Sequence, residues 1–178
     1  MRVIAGELGG RQIHEPRGHK THPMSEKLRG ALFNALGDIV GLSVLDAFAG
    51  SGALAIEAIS RGAKKAIAID VDRPAYSVLE RNIKELELDQ QIKCTRANTG
   101  GWSDKNQQVK FDLVLLDPPY DDPQLGLIQK ICRRHAAGSG LVILSWPGDT
   151  VAPKFDGLEL IKQKQYGDAQ LVFYRKSE

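Results

Sequence analysis

Leu42-Ser43-Val44-Leu45-Asp46-Ala47-Phe48-Ala49-Gly50-Ser51-Gly52-Ala53-Leu54-Ala55 is the stretch on which the fold turns. Leu42 to Ala47 reads as a strand, the glycines as a turn, and the residues that follow as a helix running to about Arg61 and stopped by Gly62. Gly50-Ser51-Gly52, with Ala55 three residues on, fits the pattern G-x-G-x-x-G/A after a strand and before a helix. Glycine suits such a loop because it lacks Cβ and tolerates positive φ, so backbone can approach a ligand closely.

The alternation continues downstream. Lys65 to Asp70 reads as a second strand, and Asp72 caps a helix with Pro74 in its first turn and Ala75, Val78, Leu79, Ile83 and Leu86 turned inward. Gln91 to Arg96 is a third strand and Phe111 to Leu116 a fourth. Asp122-Pro123 opens a helix carrying Leu127, Ile128 and Ile131, and Leu141 to Ser145 is a fifth strand. The ending differs: Leu158 to Lys164 and Gln170 to Tyr174 read as two strands joined through Tyr166-Gly167-Asp168, with no helix between. Strands alternating with helices imply an α/β, Rossmann-like parallel sheet with right-handed crossovers, here closed by a terminal antiparallel hairpin.

Upstream lies a different pattern. Arg2-Val3-Ile4-Ala5 and Gln12-Ile13-His14, separated by Gly6, Gly9 and Gly10, predict a short hairpin. A segment rich in Arg, His, Gly and Pro follows from Pro16 to Pro23. Ser25 is placed to cap a helix with Leu28, Leu32, Leu36 and Ile39 on one face. Residues 1–40 are therefore expected to form an N-terminal extension and residues 41–178 the main domain.

Composition sets bounds on function. A chain of 178 residues with 42% hydrophobic content builds one ordinary globular domain. A formal charge of +2 does not argue for nucleic acid by itself. Its distribution says more, because basic residues outnumber acidic ones between Met1 and Gly30. Arg11, Arg17, Lys20, His22 and Arg29 are the candidates for phosphate contact, with a solvated basic face as the plainer reading. Cys94 and Cys132 read as small buried hydrophobes, and His14, His19 and His22 lack zinc-like spacing, so no metal is expected. No apolar run is long enough to span a bilayer, and a cytoplasmic setting is expected. Trp102 and Trp146 read as packing residues at loop–strand junctions.

Asp70 ends the second strand, 20 residues after Gly50, where a carboxylate accepts hydrogen bonds from ribose hydroxyls. On this much, an NAD enzyme and an S-adenosylmethionine enzyme fit alike. Two features separate them. Asp46 stands just before the loop, where it would repel a pyrophosphate but attract an amino group. Asp117-Pro118-Pro119-Tyr120 follows the buried strand Leu113-Val114-Leu115-Leu116 and makes a rigid shelf at the sheet's carboxyl edge, with no role in hydride transfer. The shelf suits a planar amine: Asp117 and a backbone carbonyl such as that of Pro118 would accept its hydrogens, and Tyr120 offers a stacking face. A base inside a duplex could not reach it and would have to be unpaired or flipped out.

At these residues the chain resembles the RsmD-type methyltransferases, which methylate N2 of a guanine in small-subunit ribosomal RNA. The similarity runs from Met1-Arg2-Val3-Ile4-Ala5-Gly6 and Gly10-Arg11 through Leu32-Phe33-Asn34 and Leu45-Asp46 to the glycine loop, Ser60-Arg61-Gly62-Ala63, Asp117-Pro118-Pro119-Tyr120 and Tyr166-Gly167-Asp168. The resemblance implies a seven-stranded methyltransferase sheet and an RNA-contacting extension. It also implies S-adenosyl-L-methionine, with S-adenosyl-L-homocysteine as product, held by Asp46, Phe48, Ala49, Gly50, Ser51, Gly52, Asp70, Asn98 and Asp117. Asp117, Pro118, Pro119 and Tyr120 would carry catalysis. The expected partner is ribosomal RNA, in the small subunit or an assembly intermediate, with the protein acting as a monomer. The chain departs from the family pattern at His22-Pro23-Met24, at Ala35, and at Asn98, which stands where the family has an acidic residue for the adenine amino group. Rival readings keep the chemistry and change the substrate to DNA adenine or a protein amide, or keep the cofactor and drop catalysis, as in an RNA assembly factor.

Overall fold

The computed structural model describes residues 1–18 and 23–178. Among these the elements run α1 (Glu26–Leu36), β1 (Ser43–Asp46), α2 (Ala53–Ser60), β2 (Lys65–Asp70), α3 (Arg73–Glu85), β3 (Ile92–Arg96), α4 (Thr99–Lys105), β4 (Phe111–Leu116), α5 (Leu125–His135), β5 (Ala136–Pro147), β6 (Leu158–Tyr166) and β7 (Ala169–Lys176). The strands form one sheet in the order β3-β2-β1-β4-β5-β7-β6. The first five are parallel, and β7 pairs antiparallel with both β5 and β6. Strand order reverses between β1 and β4, so a crevice opens beyond their carboxyl ends.

Apolar runs explain the layers. Leu113 through Leu116 are almost completely buried because helices cover both faces of β4. One core gathers Val44, Leu113, Leu115 and Ile143 with α1, α2 and α3; the other gathers Leu45, Val114, Leu116 and Leu144 with α4 and α5. Side chains alternate along each strand, so Asp46 and Ser145 lie on the same face as Val44 and Ile143.

Helix starts follow capping chemistry. Ser25 accepts from the Leu28 N–H, and Asp72 accepts from the Ala75 N–H with Pro74 in the first turn. α1 stops at Leu36, short of Ile39, because Gly37 takes φ 74°. α5 begins at Leu125, after the left-handed Gln124, rather than at Asp122-Pro123. β5 begins at Ala136, earlier than its apolar run suggests, and reaches Leu141 past an irregularity in its pairing with β4. α4 carries no apolar run that the sequence pattern would register as a helix. Its start is made by Asn98, which accepts from the Gly101 N–H at 3.1 Å. Trp102 is therefore a buried helical residue, not a junction one.

The N-terminal hairpin is short: Arg2 and Gln12 form a single bridge, supported by Val3 N–H to Arg11 O and Gly10 N–H to Val3 O, both 2.9 Å. It is fastened to α2. Glu57, fully buried, accepts from the Ile4 and Ala5 N–H groups, and Ser60 accepts from the Leu8 N–H and donates to Ala5 O. Gly6 passes so close that a Cβ there would sit 1.9 Å from Ser60 O, at φ 81°. Asn82 of α3 holds His14 by two backbone hydrogen bonds. Val3, Ile13, Leu28, Leu32 and Phe33 share one core with Val44, Ala55 and Ile56, so the extension is packed onto the sheet domain.

Candidate active site

Side chains at the carboxyl tips of β1, β2 and β4 build the site. Asp46 ends β1 and is fully buried. Its Oδ2 accepts from the Ala55 N–H at 3.2 Å, in the first turn of α2, while its Oδ1 makes no hydrogen bond of normal geometry. Burial first, then the neighbouring Asp117 and Asp70, push the Asp46 carboxyl up to about 8; the Ala55 and Phe48 N–H groups only partly oppose this. A buried carboxylate oxygen without a partner is costly unless a donor arrives. Asp46 is thus built to receive a cation or an N–H donor.

The loop after β1 is held by its own neighbours. Asp70, ending β2, accepts from the Gly50 N–H at 2.8 Å and from the Asp72 N–H at 2.9 Å. Its first task is therefore to shape the loop, leaving its remaining lone pairs for a ligand. Gly50 takes φ 54°, and nothing lies within 4 Å of where its Cβ would be, so the loop leaves open space on that side. Phe48 is half-buried, whereas Ala49, Ser51 and Gly52 are buried. Asn82 donates to Ser51 O, and a Cβ on Gly52 would sit 2.4 Å from Leu79 Cδ1, so these two residues make the turn against α3.

Beyond β3, Asn98 is exposed, but its side-chain oxygen is occupied in capping α4. Thr99 donates to Ala47 O at 2.9 Å and ties that helix start to the tip of β1. Neither Thr99 nor α4 was legible as part of the site, since only the fold brings them to β1.

The shelf follows β4. Asp117 is half-buried, Pro118 buried and Pro119 half-buried; Tyr120 is 40% exposed. Burial in the surrounding protein pushes the Asp117 carboxyl up to about 6, and the nearby Ser145 hydroxyl pulls the other way. Ser145, near the end of β5, is 2.7 Å from the Tyr120 hydroxyl. Three carboxyl groups, Asp46, Asp70 and Asp117, line this rim; it accepts hydrogen bonds from an amine and, as they ionise, attracts a positively charged ligand.

The basic candidates separate. Arg11 and Arg17 are exposed on the extension. Lys20 and His22 lie outside the described residues. The expectation for Arg29 is overturned: its side chain is fully buried, donates to Arg2 O and to Met1 Sδ, and lies 3.6 Å from Glu57. Glu57 at this point also binds Arg61 Nε at 2.8 Å, so Arg29 and Arg61 flank one buried carboxylate. A charge cannot be both buried in an ion pair and free for phosphate. His14 sits 2.6 Å from Glu85. No group of three or more metal-ligating side chains occurs among the described residues, and no described helix is long and apolar enough to cross a membrane.

A parallel sheet ending in the antiparallel β5-β7-β6 run, with acidic side chains at the tips of β1, β2 and β4, defines the class I methyltransferase fold. A solved Escherichia coli structure, provisionally described as the methyltransferase yhhF, superposes with a TM-score of 0.87 at 28% identity, covering 99% of this chain and 98% of that one. The family model described as "Conserved hypothetical protein 95" matches residues 1–175, and the chain belongs to this RsmD family. Two relatives illustrate the similarity. YlbH of Bacillus subtilis, provisionally named an rRNA methyltransferase, is 30% identical over 182 residues, covering 99% of both chains. Ribosomal RNA small subunit methyltransferase D of Buchnera aphidicola is 36% identical over 129 residues, 72% of this chain and 65% of that protein.

Proposed function

We propose that this protein transfers the methyl group of S-adenosyl-L-methionine to the exocyclic N2 amine of a guanine in small-subunit ribosomal RNA. The observation that carries the reading is the pairing, at one sheet edge, of an orphaned buried carboxylate oxygen on Asp46 with the half-buried Asp117 and the exposed Tyr120. When bound, the cofactor supplies a methyl group already activated on a sulfonium, so no metal is needed. Asp46 would hold its amino group, Asp70 its ribose, and the Phe48–Gly52 loop would flank it. Asn98, already capping α4, would offer its free lone pair to the adenine amine.

Asp117 and the Pro118 carbonyl would accept hydrogen bonds from the two N–H groups of the target amine and turn its nitrogen lone pair outward. That matters because the lone pair is otherwise delocalised into the purine. As the methyl passes from sulfur to nitrogen, the surplus proton on nitrogen would leave to Asp117 or to solvent. Tyr120 would stack on the base, worth about 1–3 kcal/mol. Most of the rate gain should come from this positioning. The rRNA half of the proposal is supported by the names of the relatives; the N2 choice rests on the family resemblance. Residues 1–40, with Arg11 and Arg17 exposed, would meet the RNA backbone.

The test is transfer of a tritiated methyl group to 30S subunits, naked 16S rRNA and duplex DNA, followed by nucleoside analysis. N2-methylguanosine from an rRNA substrate is the expected product, and Asp117→Ala should lose at least about a hundredfold in kcat with cofactor affinity kept within a few-fold. Methyladenine from DNA, or full activity of the Asp117 variant, would overturn the assignment.

A further inference from the structure

Ser145 is a buried polar residue at the end of an apolar run. It follows Val142, Ile143 and Leu144, is only 2% exposed, and lies beside β4, where Leu144 pairs with Leu116. A buried hydroxyl needs partners; that of Ser145 lies 2.7 Å from the Tyr120 hydroxyl, and one position past the Leu116–Leu144 pair it stands beside the Asp117 carboxyl. Hydrogen-bond chemistry orders the three. An ionised carboxylate can only accept, so if Ser145 gives its one proton to Asp117, Tyr120 is the donor to Ser145.

We propose that Ser145 is a positioning residue for methyl transfer, locking the Asp117 carboxylate and the Tyr120 ring into one orientation from the neighbouring strand. This deepens the methyltransferase reading and rests on it. Prolines 118 and 119 stiffen the backbone of the shelf, but they leave the Asp117 and Tyr120 side chains free to turn about their own bonds. With one Asp117 oxygen held by Ser145, the other is left for the substrate amine. With its hydroxyl tethered to β5, the 40% exposed Tyr120 keeps its ring as a fixed wall rather than a swinging one. Asp46 and Asp70, at the ends of β1 and β2, are titratable groups of the same sheet edge, and Asp46 interacts electrostatically with Asp117.

The test uses the full chain with Ser145→Ala, Ser145→Thr, Tyr120→Phe and the Ser145→Ala/Tyr120→Phe double variant. Ser145→Ala should lower kcat on the rRNA substrate about tenfold while the Kd for S-adenosylhomocysteine moves less than twofold. Ser145→Thr, which keeps the hydroxyl, should recover to within about threefold of the parent. The double variant should be no slower than the slower single one, because both substitutions break the same tether. A readout independent of RNA accompanies these: the carbon-13 titration of the Asp117 carboxyl should move upward in Ser145→Ala and return in Ser145→Thr. Unchanged kcat, or an Asp117 titration indifferent to the hydroxyl, overturns the proposal. A protein inert on every nucleic acid whose Asp117 titration still follows the hydroxyl would instead sink the methyltransferase reading and leave the tether standing.

Discussion

The protonation of Asp46 should govern how tightly the cofactor binds. Burial and the charges of Asp117 and Asp70 hold its carboxyl at about 8 in the free protein. An amino group arriving at the unpartnered Oδ1 would favour the ionised form, so only that fraction of the protein is ready to bind. With that value, about one molecule in eleven is ionised at pH 7 and about one in a hundred at pH 6. The apparent Kd should therefore tighten about tenfold for each pH unit between 6 and 7, and less steeply toward 8. At higher pH a second limb begins, because the ligand's amino group in turn loses its proton. The sign is definite: affinity rises as pH rises through the acid limb, passes a maximum above pH 8, and then falls. Asp46→Asn should remove the acid limb and weaken binding at pH 8. Calorimetric titration with S-adenosylhomocysteine from pH 6 to 9 reads this directly. An affinity constant within twofold between pH 6 and 8 would refute the reasoning.

Two further perturbations probe the extension. Glu57→Ala strands Arg29 and two backbone N–H groups in the interior, and breaking a buried ion pair this way costs about 3–5 kcal/mol. Urea unfolding should show that loss, and a change below about 1 kcal/mol would mean that the network does not fasten the hairpin. Charge reversal at Arg11 and Arg17 should weaken RNA binding more at low salt than at high salt, because released counterions carry that term. Equal affinity for parent and variant at low ionic strength would reduce both residues to ordinary surface.

Several parts of the molecule were written locally enough to be read in advance. Apolar runs such as Leu113 to Leu116 and caps such as Ser25 and Asp72 act within a few residues, so strand and helix order follow from them. The terminal hairpin was equally plain, because Gly167 marks its turn. Arg29 was misread for the opposite reason. An arginine beside other basic residues looks solvated until its carboxylate partner is known, and Glu57 lies 28 positions away on a different helix (57 − 29). α4 escaped because Asn98 and the ring packing of Trp102 against His135 stabilise it, not an apolar stripe.

The amino-acid order alone thus determined the alternating α/β plan, the glycine loop, the Asp46 and Asp117 positions and the rigid shelf, since each depends on neighbours in the chain. Only the folded molecule decided that Asp46 keeps an empty oxygen, that Asp70 is already bound to its own loop, and that Ser145 bonds Tyr120 beside Asp117. Those outcomes arise where strands distant in sequence end side by side. There burial and mutual charge set what each carboxylate can do, and no single segment contains that information.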